Sequence, residues 1–272
     1  MLFHYSNTPG VSHMILKEKV AFISGGGRGL GRSIALSMAR EGARVVIMSR
    51  TAEDLQEVVS LIRGSAGEGD FSVGDVSKPE DVSQAIDEAV RNYGGLDILI
   101  NNAAVMGPAR FLEDADESAW QKTLNTNLYG AYLCCRAAGL VMRERGSGKI
   151  VNVSSGLGQM AYPRFCAYAV SKAGEIQMTR SLAEEWKPMN IQVNAIDPGL
   201  LDTGLQEGVR GLGPGVLGKE LHDRFAECKE KGLLKDPERV APLAVYLASP
   251  SSDHLSGHFG TLDYYRRLGW PG

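Results

Sequence analysis

Several features that would assign a chain to a specialised class are missing from this sequence. No apolar run in its 272 residues reaches the ~20 residues that cross a bilayer. Residues 1–12 have neither the basic start nor the apolar stretch of a signal peptide. The net charge of -3 provides no basic excess for nucleic acid. We therefore predict a cytoplasmic protein that binds neither membranes nor nucleic acid.

Cysteine and histidine are too few and too scattered to indicate a metal centre. The 4 cysteines show no Cys-x-x-Cys spacing, which indicates a reducing compartment. The 5 histidines form no His-Glu-x-x-His set, so no metal site is predicted. The remaining composition, 43% hydrophobic and 22% charged, is that of an ordinary globular protein.

Short apolar runs alternate with segments of helical periodicity along most of the chain. Strands that are apolar throughout and alternate with helices form parallel sheets that helices cover on both faces. The pattern predicts an α/β protein with one doubly wound domain. Strands are predicted at 19–24, 44–48, 71–76, 96–100, 149–153 and 191–196, and helices at 33–41, 52–63, 119–145, 167–185, 239–248 and from Pro79 onward.

Two segments do not fit this alternation. Residues 1–16 are predicted to form a mobile N-terminal extension ahead of a single domain that spans 17–272. Residues 200–235 are rich in glycine and interspersed with basic residues. A long irregular stretch inside a compact domain is usually a functional lid or a disordered loop, and we favour a lid.

A glycine-rich turn follows the first predicted strand and opens the first predicted helix. Glycines in such a turn let the backbone approach a pyrophosphate, and the helix N-terminus supplies N–H donors and positive partial charge. A dinucleotide site is therefore predicted here. Its predicted residues are Gly25, Arg28, Gly29, Leu30 and Gly31.

The end of the second strand indicates which dinucleotide binds. Sites that prefer NAD place an acid there for the ribose 2′-hydroxyl, but this chain has Ser49 and Arg50, with no acid until Glu53. Arg50, together with Arg28, could instead pair with a 2′-phosphate. We predict a preference for NADP(H) over NAD(H); the alternative is that both arginines are solvated. The missing acid also counts against a methyltransferase.

Tyr168 and Lys172 lie four residues apart, so a helix would present both on one face. The ammonium should favour the phenolate and lower the pKa of Tyr168, which would let the tyrosine exchange a proton near neutral pH. Taken alone, the spacing would more often mean a buried tyrosine beside a surface lysine. Ser155, thirteen residues before Tyr168, and the glycine turn favour the catalytic interpretation.

Together these motifs resemble the single-domain branch of the short-chain dehydrogenase/reductase family, over about residues 17–262. The resemblance implies a Rossmann fold with a mostly seven-stranded parallel sheet. Two positions depart from the family motifs, with Ser24 in place of threonine and Ala104 in place of glycine. The cofactor contacts that the resemblance implies, beyond those above, are Asp75, Val76, Asn102, Ala103, Ala104, Tyr168, Lys172, Pro198, Gly199, Leu201 and Thr203.

The resemblance also implies a mechanism. Tyr168 would be the general acid in carbonyl reduction and the general base in alcohol oxidation. Ser155 would hydrogen-bond the substrate oxygen, Lys172 would bind the nicotinamide ribose, and Asn127 would hold a water near Lys172. The implied function is an NADP(H)-preferring oxidoreductase for a ketone and its secondary alcohol. The alternatives are a non-catalytic dinucleotide sensor or regulatory subunit, and a scaffold.

Three further expectations stay open. The resemblance implies a homotetramer or a homodimer, although the tail 260–267 differs from the usual family signature. Glu175 and Gln177 replace apolar residues common in the family, so they either lie at a subunit interface or face solvent. Apolar side chains of 156–164 and of the lid either contact an apolar substrate or pack the lid onto the domain. Arg164 and Arg210 either meet a carboxylate or are solvated.

Overall fold

The computed structural model describes residues 14–272, and its centre is a seven-stranded parallel sheet in the order β3-β2-β1-β4-β5-β6-β7. This topology confirms the predicted doubly wound α/β fold. The strands are β1 (Val20–Ser24), β2 (Arg44–Ser49), β3 (Gly69–Val73), β4 (Ile98–Asn101), β5 (Gly148–Val153), β6 (Ile191–Ile196) and β7 (Phe259–Gly260).

Helices pack on both faces of the sheet because the strands are apolar on both. In β1, Ala21 and Ile23 belong to one buried cluster and Val20 and Phe22 to the other, as the two-residue period of a strand requires. The helices are α1 (Gly29–Arg40), α2 (Ala52–Gly64), α3 (Pro79–Tyr93), α4 (Glu117–Leu124), α5 (Gly130–Arg145), α6 (Cys166–Glu185), α7 (Gly204–Arg210), α8 (Pro214–Leu217), α9 (Lys219–Glu230), α10 (Ala241–Ala248) and α11 (Leu262–Arg267).

The predicted N-terminal extension is too long at its C-terminal end. Leu16 is fully buried in the core, and its N–H donates to the Glu41 carbonyl at 2.9 Å. The rest of that prediction, residues 1–13, lies outside the described residues. The predicted single domain of residues 17–272 stays a prediction, although the sheet and its helices occupy that range.

The predicted continuous helix 119–145 is interrupted by a π-helical turn, Asn125–Tyr129, between α4 and α5. The Asn127 amide explains the interruption. Its Oδ1 accepts from Val105 N at 2.8 Å, and its Nδ2 donates to Val105 O at 2.9 Å and to Ser171 Oγ at 3.0 Å. An inward amide that holds a neighbouring loop compensates for the distorted turn, and such turns are frequent at functional sites.

The segment 200–235 is less irregular than predicted, because it contains the three helices α7, α8 and α9. Glycines separate the last two from their neighbours: Gly213 and Gly218 have φ values of 71° and 80°, which L-residues rarely adopt. Glycines and short length hid α7 and α8, whereas the twelve residues of α9 are mostly polar and none of them is buried, so they show little apolar periodicity. Whether the segment acts as a lid stays a prediction.

The C-terminal tail supports the last strand, which has two residues and gave no sequence pattern. Tyr265 of α11 is fully buried, and its hydroxyl lies 2.8 Å from the Ala195 carbonyl oxygen and 3.1 Å from that of His258. These carbonyls belong to β6 and to the residue before β7. The tail that departs from the family signature therefore fastens the edge of the sheet. Across residues 14–272, no helix combines the length and apolar character needed to cross a bilayer.

Tyr265→Phe should lower the free energy of unfolding by about 1–2 kcal/mol, because two buried carbonyls lose a shared donor while the ring remains. Urea denaturation followed by circular dichroism would measure the change. Tyr132→Phe, at a side chain that is 44% exposed, is the matched control and should be neutral. Equal stability of the two variants would contradict a role for the tail in fastening β6 and β7.

Candidate active site

The carboxyl ends of the central strands open into one cavity of about 610 Å³. Ligands of open parallel sheets bind at this edge, where the strand order reverses around β1 and β4. The predicted residues that line the cavity are Gly25, Arg28, Gly29, Leu30, Asn102, Ala103, Ala104, Ser155, Tyr168, Lys172, Pro198, Gly199, Leu201 and Thr203. The predicted residues outside its lining are Gly31, Ser49, Arg50, Asp75, Val76 and Asn127.

The glycine turn forms a cradle that side chains would fill. Gly25 has φ +66°, and a Cβ there would lie 2.9 Å from the Ala103 Cα. A Cβ at Gly31 would lie 2.2 Å from the Gly25 carbonyl oxygen, so Gly31 allows α1 to start directly behind the turn. No side chain caps the N-terminus of α1. Its free amides and the open backbone fit a pyrophosphate.

Hydrogen bonds fix the turn to the end of β4. Ser24 Oγ accepts from the backbone N–H groups of Asn102 at 3.1 Å and Ala103 at 3.2 Å. Asn102 Nδ2 donates to the carbonyls of Ser24 at 3.2 Å and Gly25 at 3.0 Å. The Ser24 hydroxyl therefore holds the glycine turn against the end of β4, and a threonine hydroxyl could accept the same hydrogen bonds.

The arrangement around the two arginines differs from the prediction. Arg28 Nε pairs with Asp54 Oδ2, and the Arg28 side chain is 76% exposed. Asp54, at the start of α2, is thus the acid nearest the glycine turn, and the sequence pattern does not indicate it because it does not lie at the end of β2. Arg50 is exposed and forms no ion pair among residues 14–272. Arg28 is therefore already paired with an acid, whereas Arg50 has no such partner among the described residues.

Asp75 sits at the turn that follows β3. Burial would raise its pKa, but hydrogen bonds from Ser77 N at 2.9 Å and Ser77 Oγ at 2.7 Å, with the charges of Arg50 and Lys78, hold the pKa below its ordinary value. The carboxylate is therefore ionised and fixed by its own turn. The adjacent Val76 is buried against Gly130, where a Cβ would lie 2.9 Å from Val76 Cγ2.

Tyr168, Lys172 and Ser155 meet in the cavity where α6 passes the end of β5. Tyr168 is 7% exposed and Lys172 is 1% exposed, and Lys172 Nζ lies 5.8 Å from the centroid of the Tyr168 ring. The Lys172 ammonium donates to the Val153 carbonyl at 2.8 Å. Ser155 Oγ accepts from Leu157 N at 3.2 Å, which orients the hydroxyl at the cavity wall.

Glu175 is neither at a subunit interface nor in solvent, so that prediction is wrong for this residue. Its side chain is 1% exposed, and its Oε2 lies 2.7 Å from Lys172 Nζ. The alignment is poor for a hydrogen bond, so the contact is chiefly an ion pair. Burial raises the pKa of Glu175 to about 7, although the ammonium opposes the rise. Gln177 is exposed.

The pKa of Tyr168 is raised, contrary to the prediction. Burial is the largest cause of the rise; Lys172 and a hydrogen bond with Ser155 lower the pKa, whereas the negative charges of Glu175 and Asp197 raise it. The expected effect of the ammonium is therefore present but outweighed. Neither Glu175 nor Asp197 belongs to the four-residue motif, so the motif alone does not indicate their effect on Tyr168.

Asn127 is fully buried, and the water that it is expected to hold near Lys172 stays a prediction. All of its hydrogen bonds named above go to Val105 and Ser171, so the side chain fixes the loop after β4. Ser171 Oγ in turn donates to the Tyr168 carbonyl at 2.7 Å. Asn127 is thus linked to α6 through its neighbour in the helix.

The segment 200–235 covers the cavity and combines both roles considered for its apolar residues. Val209 and Leu217 are buried against Phe165, which packs this segment onto the domain. Other apolar side chains, from this segment and from 106–165, line the cavity together with the polar Gln206 and Arg224. That apolar set is Met106, Leu157, Met160, Tyr162, Phe165, Leu205, Leu221 and Phe225.

Arg164 and Arg210, which the sequence left as either carboxylate-binding or solvated, both contact other groups of the described chain. Arg164 Nη1 donates to the Val216 carbonyl at 2.8 Å, and the guanidinium stacks 4.1 Å from the Phe111 ring. Arg210 lies 3.8 Å from Asp202. Across residues 14–272, no group of three or more His, Cys, Asp or Glu side chains could hold a metal ion.

Known proteins share this architecture. A family model described as short chain dehydrogenase matches residues 19–211. An oxidoreductase of Thermotoga maritima is 36% identical over 252 residues, which are 92% of this chain and 98% of that protein. A 3beta-hydroxysteroid dehydrogenase of Mediterraneibacter gnavus is 32% identical over 253 residues, which are 88% of this chain and 91% of that protein.

Among solved structures, an actinorhodin polyketide ketoreductase with NADPH superposes with a TM-score of 0.82 at 27% identity, over 90% of this chain and 95% of that one. The match of sequence and the match of structure agree over nearly the same span. The chain therefore belongs to the short-chain dehydrogenase family and is an oxidoreductase that interconverts CH–OH and C=O groups with a nicotinamide cofactor.

Proposed function

We propose that this enzyme reduces a ketone with an apolar body, or oxidises the corresponding secondary alcohol, and prefers NADP(H). The observation that carries the proposal is the meeting of Tyr168, Ser155 and buried Lys172 in the same cavity as the glycine cradle. A sensor or a scaffold would need the cradle but not this set. The proton-exchanging groups therefore favour an enzyme.

The proposed mechanism uses the phenol of Tyr168 as the proton donor to the carbonyl oxygen in reduction, and as the acceptor in oxidation. The Ser155 hydroxyl, oriented by Leu157 N, hydrogen-bonds the same oxygen and stabilises the negative charge that develops there. The Lys172 ammonium stabilises the phenolate that remains after proton transfer. These groups hold and move a proton; a bound nicotinamide supplies or takes the hydride.

The chain's own residues fit the cofactor in three places. Free amides at the start of α1 suit the pyrophosphate, and the cradle at Gly25 leaves room for it. Asp75, fixed by Ser77, is proposed to contact the adenine end. Lys172 and Tyr168 are proposed to contact the nicotinamide ribose. The remaining proposed contacts are Leu30, Ser49, Val76, Asn102, Ala103, Ala104, Pro198, Gly199, Leu201 and Thr203.

The preference for NADP(H) rests on Arg50. Its guanidinium is exposed at the end of β2 and pairs with no acid in the part of the chain described. It is thus free to meet a 2′-phosphate, whereas Arg28 would first have to leave Asp54. The ketoreductase that superposes on this chain was solved with NADPH, which supports the same cofactor here.

The substrate class follows from the cavity wall. Leu157, Leu205 and Phe225 present apolar surface beside the reacting hydroxyls, and Gln206 and Arg224 contribute a few polar atoms. The relatives act, by their names, on a hydroxysteroid and on a polyketide. A ketone on a bulky apolar body fits this wall. Asn127 is proposed to support proton flow by fixing, through Val105, the loop whose Ala104 and Met106 line the cavity.

Two broader expectations belong to the same proposal. Exposed apolar side chains on the outer faces of α5 and α6, Tyr132, Leu140 and Val170, support assembly into a homotetramer or a homodimer. Cys134 and Cys135 are buried free thiols, which suits a reducing, cytoplasmic compartment.

Nicotinamide absorbance with bulky cyclic ketones and secondary alcohols, run with NADPH/NADP⁺ and with NADH/NAD⁺, tests the function directly. We expect turnover, with a higher kcat/KM for the phosphorylated pair. Cofactor binding without turnover of any carbonyl or alcohol would favour the sensor. Better use of NADH would overturn the cofactor preference alone.

Tyr168→Phe should lower kcat by about 100- to 10,000-fold, the usual contribution of a general acid or base. Cofactor affinity, measured by fluorescence titration, should change little, because the ring and the cradle remain. Tyr162→Phe, which removes a hydroxyl from another wall of the same cavity, is the control and should keep its activity. Full activity of Tyr168→Phe would remove the phenol from the mechanism.

Arg50→Ala should raise KM for NADPH about tenfold or more, because a hydrogen bond to a charged group contributes about 1.5–3 kcal/mol. KM for NADH should stay within about twofold, since NADH lacks the 2′-phosphate. Arg91→Ala, at an exposed arginine near the far end of α3, controls for loss of surface charge. An equal rise in KM for both cofactors would argue that Arg50 does not recognise the phosphate.

A further inference from the structure

The buried carboxylate of Glu175 has no role in the mechanism proposed above. It lies three residues after Lys172 on α6, so the two side chains share a helix face. Lys172 Nζ has two polar neighbours, the Val153 carbonyl at 2.8 Å and Glu175 Oε2 at 2.7 Å. The ammonium is therefore held between a strand end and a negative charge, on the side away from solvent.

The ammonium has a neutral acceptor as well as a charged one. Burial alone would lower the pKa of Lys172. The charges of Glu175 and Tyr168 outweigh burial, so the pKa of Lys172 is raised. The Val153 carbonyl accepts from the ammonium whatever the charge of Glu175. The carboxylate thus adds to the stability of an ammonium that keeps a hydrogen-bond acceptor when the negative charge is removed.

The same carboxylate acts on Tyr168 in the opposite sense to the lysine. Among the causes of the raised pKa of Tyr168, burial is the largest, Lys172 opposes it and Glu175 adds to it. A fixed negative charge beside the ammonium reduces the field that the phenol experiences. How strongly Lys172 favours the phenolate therefore depends on the charge of Glu175.

We propose that Glu175 is a positioning residue of the reaction: its carboxylate holds the Lys172 ammonium against β5 and offsets part of that positive charge at the Tyr168 phenol. This inference rests on the proposed function of Tyr168 and Lys172. With Glu175 ionised, the phenol keeps its proton to higher pH, which suits reduction of a carbonyl. With Glu175 protonated or absent, the unopposed ammonium favours the phenolate, which suits oxidation of an alcohol.

Few other ionisable groups face Glu175. Lys172 and Tyr168 come from its own helix, and Cys135 of α5 has its pKa raised to about 12, chiefly by burial and also by Glu175. The sequences of β6 and of the turn 156–158, which pack against α6, contain no ionisable side chain. The charged side chains of α4, Glu117 and Lys122, are exposed.

The charged residues of β5 and of the segment after α6 pair with other groups or face solvent, away from Glu175. Lys149, at the start of β5, pairs with Asp253 at 2.6 Å, and Lys187 after α6 is exposed. Asp197 follows β6 and acts on Tyr168, but it is not among the groups that shift the pKa of Glu175. Burial and Lys172 are therefore the causes that set the pKa of Glu175, burial raising it and the ammonium lowering it.

Glu175→Gln tests the inference because it keeps the size of the side chain and removes the charge. The pH profile of kcat/KM for alcohol oxidation should move to lower pH by about one unit, in the range that one nearby charge produces. Glu184→Gln, an exposed carboxylate on the same helix, should leave the profile in place, and Glu175→Asp should restore it toward wild type. Superimposed profiles of wild type and Glu175→Gln would overturn the inference.

A second measurement needs no substrate. Tyrosinate absorbance of the ligand-free protein, minus that of the same protein with Tyr168→Phe, follows the ionisation of Tyr168 alone. With Glu175→Gln, Tyr168 should ionise about one unit lower than in wild type. If Glu175→Gln does not fold, Glu175→Asp replaces it, and its shorter carboxylate should move the ionisation in the same direction by less. Ionisation of Tyr168 at the same pH in wild type and variant would overturn the inference.

The two hypotheses fail in different ways. A wild type that turns over no carbonyl or alcohol would overturn the proposed function, while the absorbance titration would still decide whether Glu175 offsets Lys172. A wild type with normal turnover, whose pH profile is unchanged by Glu175→Gln, would overturn the role of Glu175 and leave the proposed function intact.

Discussion

A buried ammonium is the constraint on which the arrangement of the site depends. A charge removed from water must be met by polar partners, and Lys172 finds them in the Val153 carbonyl and Glu175. Ser154 Oγ adds a bond of 3.0 Å to the Lys172 carbonyl, so α6 is fastened to the end of β5 by backbone as well as by side chain. Because Tyr168 precedes Lys172 by one helical turn, fastening the lysine also places the phenol.

The elements that could be predicted are those whose own sequence determines their structure. Strands such as β1 and β2 are apolar throughout, and parallel sheets covered on both faces require that pattern. Elements that depend on distant partners were not predictable. The two residues of β7 pair only because Tyr265 and β6 hold them, and Leu16 has no periodic neighbours to show that it enters the core. Within 200–235, α7 and α8 are too short to give a period, and α9 has no buried side chains to mark one.

For the site, the motifs identified residues that share a turn or a helix, and the structure brings most of those into one cavity. Charges contributed from elsewhere were missed: Asp54 comes from the start of α2, and Asp197 from the end of β6. Glu175 is different, because its position three residues after Lys172 already puts it on the same face. The helical spacing that brings Tyr168 and Lys172 together therefore also predicts that Glu175 lies beside Lys172.

The π-helical turn before α5 has a consequence for how the length of this chain can vary. A π-helical turn closes with i→i+5 hydrogen bonds, so it holds one residue more than the α-helical turn it replaces. Deleting one residue from Asn125–Tyr129 would restore an α-helical turn and leave the face of α5 that carries Cys134 and Ala138 in the core. The same deletion would displace or remove the inward amide of Asn127, which holds Val105. The additional residue of this turn therefore serves the loop after β4, and the packing of α5 does not require it.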